Sequence, residues 1–148
     1  MMTFAYGAVF EPGEEAGIVV TFPDVPEAIT EGKNVADARE MAADALGVAL
    51  LTYVELGRAL PEAAARTAEP ITVDAEIAAK LAVIEAFREA GLSKSELARR
   101  LDKDEREVRR ILDPSHATKL PALKAALAAL GRRLVIGVER LPIEVRVG

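Results

Sequence analysis

The hydrophobic pattern changes period along the chain. Residues 3–10, TFAYGAVF, and 17–22, GIVVTF, are short runs rich in aromatic and β-branched residues, which predicts two strands. Pro12 and Gly13 in the intervening EPGEE supply a turn, so the two runs predict a hairpin. Pro23 ends the second run. Pro23 and Pro26 each lack an N–H and keep residues 23–28, PDVPEA, out of a central strand. AIT, residues 28–30, predicts a short third strand. From Val35 to about Gly57 the apolar positions recur at three and four: Val35, Ala38, Ala42, Ala45, Leu46, Ala49, Leu50 and Tyr53. That is one face of a long helix, with Asn34 as its N-cap and Asp37 near its start. The alanines on that face permit close approach to a sheet. Residues 57–68 predict a loop with one helical turn, and EPITV, residues 69–73, a fourth strand. Three strands, a long helix and a further strand make a small α+β domain with the helix on one sheet face.

The second half is helical in period. Ile77, Leu81, Ile84 and Phe87 predict a helix over 75–90, stopped by Gly91 as its C′ residue. Ser93 with Glu96 forms a capping box for a short helix whose buried face is Leu97 and Leu101. A tight turn over 102–104 leads to DEREVRRIL, residues 104–112, with Val108, Ile111 and Leu112 apolar. Asp113-Pro114 ends it. Residues 121–130, PALKAALAAL, predict another helix, with Pro at its start and Gly131 after its end. RLVIGVE, residues 133–139, predicts a strand, and Pro142 separates it from a last run, IEVRV. The expected organisation is an α+β domain over 1–74 and, over 75–148, an all-helical bundle followed by a strand.

Composition narrows the chemistry. Aromatic residues are 4% of the 148, so the core is aliphatic. With no cysteine, a disulfide framework, a Cys-based zinc site, an iron–sulfur cluster and a thiol nucleophile are excluded. The single histidine, His116, lies in a connector, and any Ser–His–Asp triad would have to run through it. Carboxylate pairs at helical spacing, Glu85 with Glu89 and Asp37 with Glu40, sit on polar faces among basic residues, and no phosphate loop is present. The expectation is a non-enzyme with no catalytic residue, metal site or cofactor. No apolar stretch reaches the roughly 18 residues of a membrane span. The N-terminus has no basic segment ahead of an apolar one, as a signal peptide would. These features predict a cytoplasmic protein without a membrane partner.

The formal net charge of −5 conceals two opposite halves. Residues 1–75 carry 13 acidic and 4 basic side chains, residues 76–148 carry 11 and 15. Each surface sets its own field, so the acidic total does not argue against nucleic-acid binding by the basic half. There, two short helices joined tightly inside a bundle predict a helix-turn-helix unit. Leu97, Leu101, Val108 and Ile111 hold the pair together, and Ala98 is small where the helices cross. The second helix turns Glu105, Arg106, Glu107, Arg109 and Arg110 outward and fits a major groove, where arginine reads guanine edges. Ser93, Lys94 and Ser95 start the first helix, whose free N–H groups suit a phosphate, and Lys103 lies in the turn. The predicted DNA-binding set is Ser93, Lys94, Ser95, Lys103, Glu105, Arg106, Arg109 and Arg110. One such unit reads few base pairs, so a homodimer or higher homo-oligomer on a palindromic site is expected, with the strand over 133–139 as its pairing edge.

The segment AKLAVIEAFREAGLSKSELARRL, continued by VRRILDPSHATKLPALKAALAALGRRLVI, resembles the C-terminal domain of HicB-type antitoxins, itself similar to the helix-turn-helix of Xre and phage repressors. YGAVFEPGEEAGIVVTFPDVPEAITEGKNVADAREMAADAL resembles the HicB fold, a partial RNase H-like α+β domain, and VTFPDVPEAITEG carries its unusual Phe-Pro-Asp-x-Pro loop. The resemblance implies no nuclease, because no matching acidic metal cluster is present. It implies an antitoxin whose N-terminal domain covers a HicA-type ribonuclease toxin and whose C-terminal domain binds operator DNA and represses its own operon. A ribonuclease must be basic to hold RNA, which suits the acidic N-terminal half. Asp24 and Glu27, in the loop stiffened by Pro23 and Pro26, and Glu31 beside it are the predicted toxin-binding residues. Two departures from the family pattern stand out. Glu27-Ala28 replaces a glycine-type loop, and Asp102 takes the place of a glycine in the turn between the two helices, where a left-handed aspartate is tolerated. The alternative is a stand-alone helix-turn-helix regulator whose N-terminal domain binds a ligand or another protein.

Overall fold

A computed structural model of the chain describes residues 1–66 and 69–141. The predicted hairpin forms from β1 (Ala5–Pro12) and β2 (Ile18–Thr21), with Phe10 opposite Val20 and Pro12 opposite Ile18. A single 3-10 turn over Glu14–Ala16 joins them, with Glu15 and Ala16 left-handed. β3 (Ile29–Gly32) pairs with β2, and β4 (Glu69–Thr72) with β1, in the antiparallel order β3-β2-β1-β4. Asn34 caps α1 (Val35–Glu55): its Oδ1 accepts from the Asp37 N–H at 2.8 Å, and Asp37 Oδ2 accepts from the Lys33 N–H at 2.8 Å. Ala38, Ala42, Leu46, Ala49, Leu50 and Tyr53 of the predicted face are buried, while Val35 at the entrance is exposed.

Cross-strand register divides the sheet into two faces. Tyr6, Ala8, Val20 and Gly32 lie on the buried one, and α1 meets it where Gly32 lies against Ala38. A Cβ at Gly32 would come within 2.4 Å of the Ala38 Cα and N. The loop between β2 and β3 folds inward at every third residue. Val25 N–H donates to the Phe22 carbonyl and Ala28 N–H to the Val25 carbonyl, and all three side chains are buried.

The helical part comprises α2 (Ala75–Ala90), α3 (Lys94–Leu101), α4 (Glu105–Leu112) and α5 (Leu120–Ala129). Val83, Ala86, Leu97, Ala98, Val108, Ile111, Leu123 and Leu127 form its aliphatic core. The ends are closed as the sequence implies. Gly91 is left-handed at φ 66°, and Ser93 Oγ accepts from the Glu96 N–H at 3.0 Å. Asp104 was not singled out by its sequence context, yet its Oδ1 caps α4 by accepting from the Glu107 N–H at 2.8 Å. Its Asp-x-x-Glu pattern was the available signal. Asp102 adopts the left-handed conformation expected of it, φ 55° and ψ 45°. A β-branched residue there should lower stability by about 1–2 kcal/mol, whereas Asp102→Gly should be tolerated; thermal unfolding of Asp102→Val and Asp102→Gly checks this.

By its internal contacts the chain divides into two compact units. One comprises Phe4–Ala49 and Pro61–Val73 with the residues from Val135; the other comprises Met1–Thr3, Leu50–Leu60 and Asp74–Leu134. Two expectations fail. Residues 58–66 contain no helical turn, and residues 133–139 form no strand. In the segment after α5, Leu134 packs on the helical core, but Val135, Ile136, Val138 and Leu141 are 58–96% exposed. A lone extended segment has no neighbouring backbone to satisfy its N–H and C=O groups, so alternating hydrophobicity alone does not make it a strand. The last run, IEVRV, lies outside the described residues. Among the described residues no helix is long and apolar enough to cross a membrane.

Candidate functional site

Six basic side chains of the helical unit lie on α3 and α4: Lys94, Arg99, Arg100, Arg106, Arg109 and Arg110. Because α4 is eight residues long and buries only Val108 and Ile111, most of its surface is open. Arg106 and Arg110, one turn apart, are exposed and form no ion pair among the described residues, and the same holds for Lys94 at the start of α3. The other predicted residues are engaged within the chain. Arg109 lies 3.9 Å from Glu105, and Lys103 lies 3.3 Å from Glu107. Ser95 Oγ donates to Glu105 Oε2 at 2.9 Å, tying the beginning of α3 to that of α4. Ser93 is occupied as the α3 cap, though its hydroxyl proton stays outside that bond. Glu105 thus orients Ser95 and Arg109. On α3, Arg99 and Arg100 both pair with Glu96, whose carboxyl the Arg99 hydrogen bond holds below the usual range.

The sequence pattern did not single out Lys80. It is 4% exposed and is the one buried charged side chain among the described residues. Its Nζ donates to the Arg110 carbonyl at 3.1 Å, the Ile111 carbonyl at 2.7 Å and Thr118 Oγ1 at 2.7 Å. Burial lowers its pKa to about 8, against the opposing attraction of Asp113. The folded state therefore holds this proton less tightly than the unfolded chain. The group's contribution to stability rises with pH from about 8 to 10.5 and is lost as pH falls through about 8. Asp113 itself is held below the carboxylate range by hydrogen bonds from the Ser115 N–H and hydroxyl, at 2.9 and 2.8 Å. The signal for Lys80 was its place in the stripe: it lies three residues after Ile77 and four before Ile84, on the apolar side of α2.

The three predicted acids of the N-terminal half differ in their surroundings. Asp24 Oδ2 accepts from the Ala65 N–H at 2.7 Å, so this carboxylate anchors the segment after α1. Glu27 is exposed. Glu31 is exposed on β3, with its carboxylate against the turn backbone at Gly13 and Gly17; a Cβ at Gly17 would come within 2.6 Å of its Oε2. On the open face of the sheet the register aligns Glu11, Val19 and Glu31 in one row and Val9, Thr21 and Ile29 in the next. Ile29 is 63% exposed on the edge strand between Glu27 and Glu31. Glu11 and Ile29 were missed from sequence because the signal, side chains two apart along a strand, is useful only once the register is known. Among the described residues no group of three or more His, Cys, Asp or Glu side chains could hold a metal ion.

A family model described as the HicB-like antitoxin of bacterial toxin–antitoxin systems matches residues 5–84. The chain is similar to Antitoxin HicB 1 of Photorhabdus laumondii subsp. laumondii, with 36% identity over 134 residues, 90% of this chain and 86% of that protein. It is 37% identical over 131 residues to Antitoxin HicB of Escherichia coli (strain K12), 87% of this chain and 95% of that protein. Antitoxin HicB 2 of the same Photorhabdus is 39% identical over 121 residues, 82% of this chain and 87% of that protein.

Proposed function

The chain belongs to the HicB-like antitoxin family and is accordingly an antitoxin rather than an enzyme, and from that premise we propose that it joins two binding activities. The N-terminal half, read as a partial RNase H-like fold, neutralises a HicA-type ribonuclease toxin. The helical half is a helix-turn-helix that binds operator DNA and represses the chain's own operon, acting as a homodimer or higher homo-oligomer. The observation that carries the DNA reading is the pair of arginines without an ion pair among the described residues, Arg106 and Arg110, on the open face of α4, together with the exposed Lys94 at the start of α3. A free guanidinium on a short rigid helix costs little to reorganise before it meets a base edge or a phosphate. Lys94 at the start of α3 suits a phosphate, since the first N–H groups of a helix also favour an anion there.

For the toxin, the supporting observation is the open sheet face, where the exposed Ile29 is flanked by Glu27 and Glu31 and the next row carries Glu11. An apolar centre with an acidic rim suits a basic partner: the acids speed encounter, and the apolar contact slows release. The full-length chain mixed with its cognate HicA-type toxin should associate at a rate that falls about tenfold or more between low and physiological salt. Glu11→Lys with Glu31→Lys should slow association and flatten that salt dependence, as read by stopped-flow fluorescence. A salt-independent rate, or one untouched by the double reversal, places the toxin on another surface.

A further inference from the structure

We propose that Lys80 is a positioning residue for base reading by α4: it clamps the last turn of that helix through the Arg110 and Ile111 carbonyls and so holds Arg106 and Arg110 in one orientation. The inference rests on the proposed DNA-binding function.

The need for a clamp comes from the length of α4. In an eight-residue helix the last four carbonyls, those of residues 109–112, have no partner within the helix. That last turn carries Arg109 and Arg110, so fraying would displace a proposed reading side chain directly. The chain after α4 satisfies the Arg110 carbonyl only in part, through the Asp113 N–H at 3.2 Å and the Thr118 hydroxyl at 3.5 Å. Lys80 reaches across from α2 and adds the shorter bonds, 3.1 Å to Arg110 and 2.7 Å to Ile111. A cation at the carbonyl end of a helix is favoured by the helix dipole as well.

The same ammonium organises the connector from α4 to α5. Its third proton goes to Thr118 Oγ1, which also lies 3.2 Å from His116 Nδ1, while Ser115 folds back on Asp113. The connector is thereby closed around Lys80. Asp74 and Glu76 from the start of α2, with Ser115 and His116 from the connector, line a cavity of about 300 Å³ that borders Lys80. All three ammonium donors face inward to protein acceptors, so the lysine is a brace and not a handle for a ligand. A surface lysine would serve equally well for charge. Burying a lysine costs desolvation, and the three hydrogen bonds of its ammonium offset that cost while they tie down the end of α4.

The test compares specific with non-specific DNA. A duplex covering the region upstream of the chain's own reading frame and a scrambled duplex of the same composition are titrated with the full-length wild type, Lys80→Met and Thr118→Val, below the unfolding temperature of each. Lys80→Met should lower the ratio of specific to non-specific affinity about tenfold, the low end of one misplaced base contact, and leave the salt slope unchanged. Thr118→Val, which removes one of the three partners, should move the ratio in the same direction by less and decides the matter if Lys80→Met does not fold. A lysine that serves stability alone would lower the melting temperature and leave the ratio intact, which overturns the proposal. If the wild type does not distinguish the two duplexes, the DNA-binding function falls and this inference with it; if the wild type distinguishes them and neither variant changes the ratio, only the inference falls.

Discussion

Replacing Arg106 and Arg110 together by alanine is expected to abolish selective binding of the operator. Each lost base contact should cost about 1–3 kcal/mol. The two side chains sit one turn apart on an exposed helix face and form no ion pair among the described residues, and as close neighbours they are compared with each single variant in a double-mutant cycle. Arg109→Ala should cost less, because Arg109 faces Glu105 at 3.9 Å and part of its charge is already answered. The order of effect, with Arg106 and Arg110 ahead of Arg109, separates this geometry from a general basic patch, in which all three would count alike. Fluorescence anisotropy over a range of salt checks it. A side chain that reads a base lowers specific affinity, whereas one that holds a phosphate lowers affinity for every sequence and reduces the salt slope by about one unit. Equal and small effects from all three variants would remove α4 from the interface.

Gly32→Ala should destabilise the N-terminal unit by about 3 kcal/mol, at the upper end of overpacking costs. Backbone conformation is not the reason, since Gly32 is not among the residues with positive φ. The added methyl would come within 2.4 Å of the Ala38 Cα and N, so a backbone and not a flexible side chain would have to move. Helix α1 would then lift from the end of β3, and the buried faces of Ala42, Leu46 and Val20 would lose contact with their neighbours. Urea unfolding measures the loss. Ala38→Gly in the same chain should not restore stability, because the clash is with main-chain atoms and remains when the Ala38 methyl is removed. Restoration by Ala38→Gly would show that only the side chains crowd one another there.

Local sequence carried most of the elements because the signals concerned are local. Asn34, Ser93, Gly91 and Asp102 each act on a backbone within a few residues, and each behaves in the structure as its type requires. The spacing of four from Ala38 through Ala42 and Leu46 to Leu50 likewise needs only the helix period to place those side chains on one face. The HicB resemblance was legible for a related reason: its Phe-Pro-Asp-x-Pro loop is a contiguous string, and the comparisons bear out the family. Asp104 caps α4 by a signal of the same local kind, its Asp-x-x-Glu string.

What only the tertiary structure decided is where charges and edges end up, because that depends on partners distant in the chain. Asp24 appeared in sequence as a free acid in a stiff loop, yet Ala65, 41 residues away, donates to it. Glu105 and Arg109 looked equivalent to Arg106 and Arg110 by exposure, and the difference between them lies in contacts with Ser95 and with each other. Lys80 was one lysine among many until the fold brought the end of α4 and Thr118 around it from 30 to 38 residues further on. The run over 133–139 had the alternation of a strand, but a strand is a pairing and not a property of one segment, and among the described residues nothing pairs with it. Periodicity fixes which way a side chain faces on its own element; only the packed chain determines what it meets there, and an ionic or hydrogen-bonding group is defined by what it meets.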